Sequence, residues 1–144
     1  MLVKLIAQNL RCHGAVTLED LTSLNLLLGD NGQGKTTLLE AAYLLARCRS
    51  FRTAAPREMV KWETQGFRVE GGFSQEEFSR LALVWTAGKK TFEIDGITNA
   101  TLGEFWGKCA AVIFQNRDLE LVQDTSMTRR QWVDALIASA DSTY

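Results

Sequence analysis

The chain reads as an α/β domain, on three observations. Short apolar segments of strand character stand near the N-terminus and again through the middle. A glycine-rich stretch, Gly29-Asp-Asn-Gly-Gln-Gly-Lys-Thr36, follows one of them, and an uninterrupted helical pattern from Lys35 to Arg47 begins where that stretch ends. The composition is that of one globular domain: 144 residues, 46% hydrophobic and 23% charged, with 16 Lys+Arg against 17 Asp+Glu for a net charge of -1. A disordered tail and a basic nucleic-acid arm are excluded, because no block of like charge runs through a chain this apolar. Apolar runs fall far short of the ~18 residues of a membrane span, and no signal-peptide pattern opens the chain, so a cytoplasmic protein with no membrane partner is expected. Cys12, Cys48 and Cys109 are odd in number and widely spaced, which fits free thiols in a reducing compartment. With His13 the only histidine, a protein-held metal cluster is not expected.

Residues 2–8 and 24–28 read as short apolar strands, with Val16 and Leu18 marking a weaker alternating strand between them. In the helix, Leu38, Leu39, Ala42, Tyr43, Leu45 and Ala46 recur at helical spacing, and Arg47 sits at the cation-favouring end. A basic turn follows, Cys48-Arg-Ser-Phe-Arg-Thr53, and Pro56 is placed to open a short helix through Val60. Strands are predicted at 67–71, 81–85 and 91–94, and Asp95-Gly96 is a strong turn signal. A helix is predicted near 102–106, then a strand buried on both faces over 109–114 that empties into Gln115-Asn-Arg-Asp118. A final helix is predicted to start at Ser126 or Thr128 and run through Arg129, Trp132, Val133, Leu136 and Ile137. No repeat or linker divides the chain, so residues 1–144 are read as a single unit.

The stretch from Gly29 to Thr36 satisfies the phosphate-loop pattern, in the required context of a strand before and a helix after. Gly29, Gly32 and Gly34 let the backbone curl around an anion. Lys35 supplies a point charge to the terminal phosphates, Thr36 offers a hydroxyl to Mg²⁺, and Asp30, Asn31, Gln33 and Thr37 complete the candidate nucleotide-binding set. By chance the pattern arises in roughly one chain of this length in a few hundred, so nucleotide binding outweighs an accidental glycine turn. Hydrolysis needs a further carboxylate on Mg²⁺, and the predicted strands end in Thr86 and Gln115 rather than Asp, so no catalytic residue is assigned. Gly71-Gly72-Phe-Ser-Gln75 superficially matches the signature sequence of ATP-binding-cassette proteins, but lacks its order and is read as a strand end.

The phosphate loop, the following Leu-Leu-Glu-Ala-Ala-Tyr43 and the turn Arg-Ser-Phe-Arg-Thr53 together resemble the RecF family of bacterial DNA replication and repair ATPases. Val112-Ile-Phe114, Asp118-Leu-Glu-Leu-Val122 and Arg129-Arg-Gln-Trp-Val-Asp134 continue the likeness over nearly the whole chain. The resemblance implies a P-loop NTPase fold, lobe I of an ABC/SMC-like head, with a mixed sheet around the phosphate-loop helix. It implies binding of ATP and Mg²⁺, association with single-stranded or gapped DNA and with recombination mediator proteins, ATP-dependent self-association, and a role in replication, repair and the SOS response. In the family the signature and Walker B segments come later, so the chain is expected to be the N-terminal ATP-binding lobe and not hydrolytic alone. The alternatives are an orphan nucleotide-binding interaction module and a fragment of another SMC or Rad50-type head. Cys48 stands where the family commonly has Gly, and Gln115-Asn116 replace a usual Ser-Pro.

Three further assignments keep two readings each. The resemblance places Arg11 near the nucleotide, against an ordinary surface arginine. It makes Gln115 a Mg²⁺ and water sensor, against an exposed loop glutamine. Arg49 and Arg52, in a cluster with Arg47 and Arg57, are DNA or partner contacts, against a solvated loop. Trp62, Trp85, Trp106 and Trp132 share no spacing and are read as core or lobe-interface residues rather than a base-stacking surface, and His13 as a turn residue.

Overall fold

The computed structural model describes residues 1–74, 77–115, 118, 127, 130, 133 and 134. The chain forms two compact units, Met1–Ala111 and Val112–Tyr144.

In the first unit, β1 (Leu2–Leu10) and β2 (His13–Leu18) form a hairpin, and α1 (Lys35–Arg47) follows. A 3₁₀ turn (Pro56–Met59) leads to β3 (Gly66–Phe73), β4 (Arg80–Thr86), β5 (Lys89–Ile94), β6 (Ile97–Ala100) and the short helix α2 (Leu102–Phe105). The six strands make one sheet in the order β2-β1-β3-β4-β5-β6, antiparallel at every described pairing. Local chemistry sets the hairpins. Ala87-Gly88 and Asp95-Gly96 both have positive φ at the two central residues, the conformation whose twist matches a two-residue hairpin. Asp95 Oδ1 also accepts from Ser79 N, Ser79 Oγ and Arg80 N, tying that turn to the start of β4.

Alternation gives the sheet two unlike faces. Phe67, Val69, Gly71 and Phe73 of β3 stand opposite Trp85, Leu83 and Leu81 of β4, and Leu5 and Ala7 of β1 share their face. Over this face α1 lays Ala41, Leu44 and Leu45, and α2 adds Phe105 against Phe92. On the other face Arg68 bonds both oxygens of Glu93 at 2.8 and 2.7 Å and Glu70 at 2.7 Å, a ladder of charge left near water. The sheet thus has a single apolar side, and α1 is the element that covers it.

Three expectations are corrected here. Residues 24–28 are not a strand: Leu24, Leu26 and Leu28 are 86%, 78% and 81% exposed and pair with no described strand. Residues 109–114 are likewise unpaired, with Val112 95% exposed. A run of apolar residues becomes a strand only when neighbours take up its backbone N–H and C=O groups, and neither run enters a described ladder. The buried stripe of α1 is Thr37, Glu40, Ala41, Leu44, Leu45 and Ala46, while Leu39 is half exposed. Apolar residues surround this helix, so periodicity alone gave the wrong phase. Met127, Arg130, Val133 and Asp134 are helical, in line with the predicted last helix, whose other residues, Trp132 included, lie outside the described ones. β3 ends at Phe73, which makes the Gly71-Gly72 stretch a strand end.

At Gly71 the sheet leaves room for the Leu45 side chain of α1. A Cβ there would lie 2.7 Å from Leu45 Cδ1 and 2.9 Å from Leu2 Cδ1 and Phe73 Cε2. Gly71→Val should therefore destabilise by about 1–3 kcal/mol in urea unfolding with the slope unchanged, whereas Gly72→Val, meeting only Lys4 Cβ at 3.1 Å on the other face, should cost less.

Candidate functional site

The phosphate loop is built by three glycines at positive φ, Gly29 (148°), Gly32 (86°) and Gly34 (87°), values that L side chains rarely adopt. Gln33 N–H closes a turn on Asp30 O at 3.4 Å, and Gly34 O receives Thr37 N–H at 2.9 Å and Leu38 N–H at 3.3 Å as α1 begins. The N–H groups of Gly32, Gly34, Lys35 and Thr36 have no acceptor among the described residues, so they form a concave donor set at the positive end of a 13-residue helix. Lys35 Nζ folds back over the loop onto Gly29 O at 2.6 Å and Asp30 O at 2.7 Å. Asp30, Asn31, Gln33 and Thr36 are exposed on the loop and first turn, while Thr37 is buried.

The β1–β2 turn buttresses this loop. His13 Nε2 lies 3.2 Å from Gly34 O and must donate, since the carbonyl only accepts. A Cβ on Gly34 would fall 2.3 Å from His13 Nε2 and 2.6 Å from Cys12 Sγ, so glycine is required there both for its dihedral and for space. Gly29 and Gly32 face open space, which leaves the anion side of the loop accessible.

Behind the loop lies an interaction the sequence reading missed. Glu40, fully buried on α1, accepts from Arg11 Nε at 2.5 Å and Arg11 Nη2 at 2.7 Å, from Ser50 Oγ, and from Arg52 Nη1 at 3.4 Å. Arg11 Nη1 donates in addition to Glu58 O at 3.3 Å. Burial disfavours the carboxylate charge, but the bonds from Arg11 and Ser50 and the charges of Arg11 and Arg52 outweigh it, so Glu40 titrates below its ordinary value. Arg11 and Arg52 thus share one internal anion that joins the end of β1, α1 and the basic turn. Arg49 is exposed and has no side-chain partner among the described residues. A signal for Glu40 existed: it falls on the 37-40-41-44-45-48 stripe of α1, where a lone charge demands a partner.

Cys48 closes α1 in the left-handed conformation, φ 54°, with its N–H on Leu44 O at 2.9 Å and its carbonyl held by Lys90 Nζ at 2.9 Å. A glycine suits that position, which accounts for the family preference noted above. Burial pushes the Cys48 and Cys109 thiols up to about 11, whereas Cys12 is exposed beside Gly34. Gln115 belongs to the second unit, half-buried, with its N–H on Asp118 Oδ2 at 2.6 Å. Among the described residues no three His, Cys, Asp or Glu side chains converge to hold a metal, and no helix is long and apolar enough to cross a membrane.

Of the tryptophans, Trp85 is partly buried and packs against the core, as read from the sequence. Trp62 is 86% exposed, and the fold brings it to one hollow with Trp85.

Comparison with known proteins places the chain. The family model described as AAA domain matches residues 4–96. This chain belongs to the AAA domain family. Within it, the AAA-domain chain is similar to curated RecF sequences: 31% identical over 137 residues to the DNA replication and repair protein RecF of Pediococcus pentosaceus, and 34% over 137 residues to that of Clostridioides difficile, in each case 94% of this chain and 37% of the relative. Its structure resembles that of the recombination mediator protein RecF-ATP in the RecFOR pathway, with a TM-score of 0.88 and 32% identity over 99% of this chain and 39% of that one. The RecF-ATPrS structure matches with a TM-score of 0.90 at 32% identity, over 100% of this chain and 40% of that one. The AAA-domain chain therefore spans about two fifths of the relatives it matches, and the P-loop NTPase lobe expected from its sequence is the fold it has.

Three outcomes follow from this geometry. Breaking the buried ion pair with Glu40→Ala should cost about 3–5 kcal/mol in urea unfolding. Because the folded carboxyl titrates below its ordinary value of 4.5, the Glu40 contribution is complete above that value and is lost as pH falls through the lower folded one. The stability gap between parent and Glu40→Gln should therefore narrow on acidification. Iodoacetamide at neutral pH should modify Cys12 before Cys48 or Cys109, read by peptide mass mapping.

Proposed function

We propose that this chain is the ATP-binding lobe of a RecF-like DNA replication and repair protein, with ATP and Mg²⁺ on the loop of residues 29–37. The observation that carries this reading is the donor set itself: N–H groups of Gly32, Gly34, Lys35 and Thr36 with no acceptor among the described residues, with Lys35 Nζ waiting on carbonyl oxygens that a phosphate oxygen can replace. The residues fit the group. Gly32, Gly34, Lys35 and Thr36 would hold the phosphates through backbone N–H groups, Lys35 would supply charge, and the exposed Thr36 hydroxyl would take Mg²⁺, which bound nucleotide brings as a counter-charge for the phosphates. Similarity to RecF-ATP over nearly the whole chain supports ATP as the nucleotide.

The chain's own residues bind and orient. Gly34, wedged against His13 and Cys12, fixes the direction of the last loop N–H groups, and Glu40 anchors the helix that carries them. The described carboxylates that directly follow a strand are both engaged elsewhere, Glu19 after β2 by Lys4 and Asp95 after β5 by Ser79 and Arg80. Binding without hydrolysis by these 144 residues is accordingly the reading adopted, with Arg11 acting through Glu40. RecF likeness supports DNA, single-stranded or gapped, mediator proteins and ATP-dependent self-association as partners of the whole protein, and a cytoplasmic setting. A second reading, a nucleotide-binding interaction module, is favoured by the exposed Leu24, Leu26 and Leu28 run, which offers an unpaired apolar edge.

Thermal unfolding with ATP·Mg²⁺ tests the proposal. At about 100 times its dissociation constant the nucleotide should stabilise the chain by about 2.7 kcal/mol, raising Tm by several degrees. Lys35→Ala and Gly34→Ala should abolish the shift, while a parent chain that melts cooperatively with no shift refutes ATP binding.

A further inference from the structure

Apart from the phosphate loop, one surface hollow combines aromatic rings with free cations. Val60 bridges to Leu10, Lys61 N–H donates to Asn9 O at 2.8 Å, and Thr64 closes a turn on Lys61 O through both its N–H and its hydroxyl. This turn, with Glu63 at φ 63°, throws the Trp62 indole into solvent. Across from it the β4–β5 hairpin end, Ala87-Gly88, and Trp85 form the other wall. The Trp85 ring is held flat by stacking on Phe67, centroids 6.2 Å apart and planes 11° from parallel. The hollow between them is about 1040 Å³. Arg57 and Lys61 line it with no side-chain partner among the described residues, against one acid, Glu63. The 3₁₀ turn that supplies Arg57 contributes Pro56 and Met59 to a second hollow on its other flank, where Arg49 and Arg52 stand.

We infer that this hollow is a binding site for single-stranded nucleic acid, with a base stacked on Trp62 and backbone phosphates drawn to Arg57 and Lys61. The inference rests on the DNA reading above and gives it a location. Indole faces bind any base while cations track the backbone, a pairing specific to unstacked polynucleotide, since duplex bases offer no free face. The hollow is open to solvent along its length, so a chain can pass through it. Arg49, beyond the 3₁₀ turn, adds a further cation with no side-chain partner among the described residues to this flank.

The test uses the 144-residue chain, a fluorescent oligothymidylate of about 15 nucleotides and a blunt duplex of matched length, with anisotropy for affinity and indole fluorescence for stacking. The single strand should bind and quench. Trp62→Leu should weaken it at least about fivefold and remove most of the quench, and Arg57→Ala/Lys61→Ala should make the log–log salt slope shallower by about 1.4. Trp62 and Arg57 are exposed and Lys61 is half-buried, so both variants should keep the ATP-dependent Tm shift, which shows that they fold. A parent chain that responds to ATP yet ignores the oligonucleotide overturns the DNA reading and the site together, leaving nucleotide binding intact. Oligonucleotide binding unchanged in both variants overturns the site alone. Equal loss of duplex binding in Trp62→Leu overturns the single-strand assignment, and quenching by ATP alone with displacement of the oligonucleotide assigns the hollow to the loop-bound nucleotide instead.

Discussion

Glu40 is an anion placed among apolar side chains, and the arrangement around the phosphate loop depends on how its charge is met. An unpaired carboxylate at that depth would cost several kcal/mol, so the chain must deliver donors to it. They come from both sides in sequence: Arg11 from the end of β1, and Ser50 and Arg52 from the turn after α1. Satisfying one charge therefore fixes the helix against the sheet, the β1–β2 turn against the helix, and the basic turn against both. His13 and Cys12 follow Arg11 directly, so the same anchoring carries them to Gly34.

Site and scaffold divide the work between backbone and side chains. The loop offers N–H groups, which carry no sequence information, and obtains its shape from glycine dihedrals. Its support comes from specific side chains whose partners are distant in sequence. A helix begun by Gly34 without a side-chain cap leaves its first donors open, a local weakness that a bound anion converts into affinity. Arg11 and Arg52 illustrate the same economy: read from the sequence they are free cations, and in the fold they neutralise one buried acid. Arg49, Arg57 and Lys61 remain as the cations turned outward on this flank.

The unpaired runs at 24–28 and 109–114 show the limit of reading strands from composition. Both have the apolar content of strands buried on two faces, yet neither is a strand, and Leu24, Leu26, Leu28, Val112 and Phe114 are exposed. A strand is a relation between two segments, and its existence depends on a partner as much as on its own residues. Of the segments whose partners lie close by in the chain, β1 to β5 were legible from their apolar pattern, whereas β6 was not predicted as a strand although Asp95-Gly96 before it signalled the turn.

By itself, the sequence determined what is local. The phosphate loop is defined by dihedrals that only glycine adopts readily and by a lysine and a threonine at fixed offsets. Helix α1 follows from an unbroken run of helix formers, and the Asp95-Gly96 turn from residues that tolerate positive φ. Family membership followed from the order of such pieces. Tertiary structure decided everything that depends on phase and distance. It decided which stripe of α1 is buried, because apolar residues surround the helix and only the sheet selects a face. It paired Glu40 with Arg11 across 29 positions and set Trp62 opposite Trp85 across a hollow, contacts that no periodicity encodes because chain folding, not spacing, brings those side chains together.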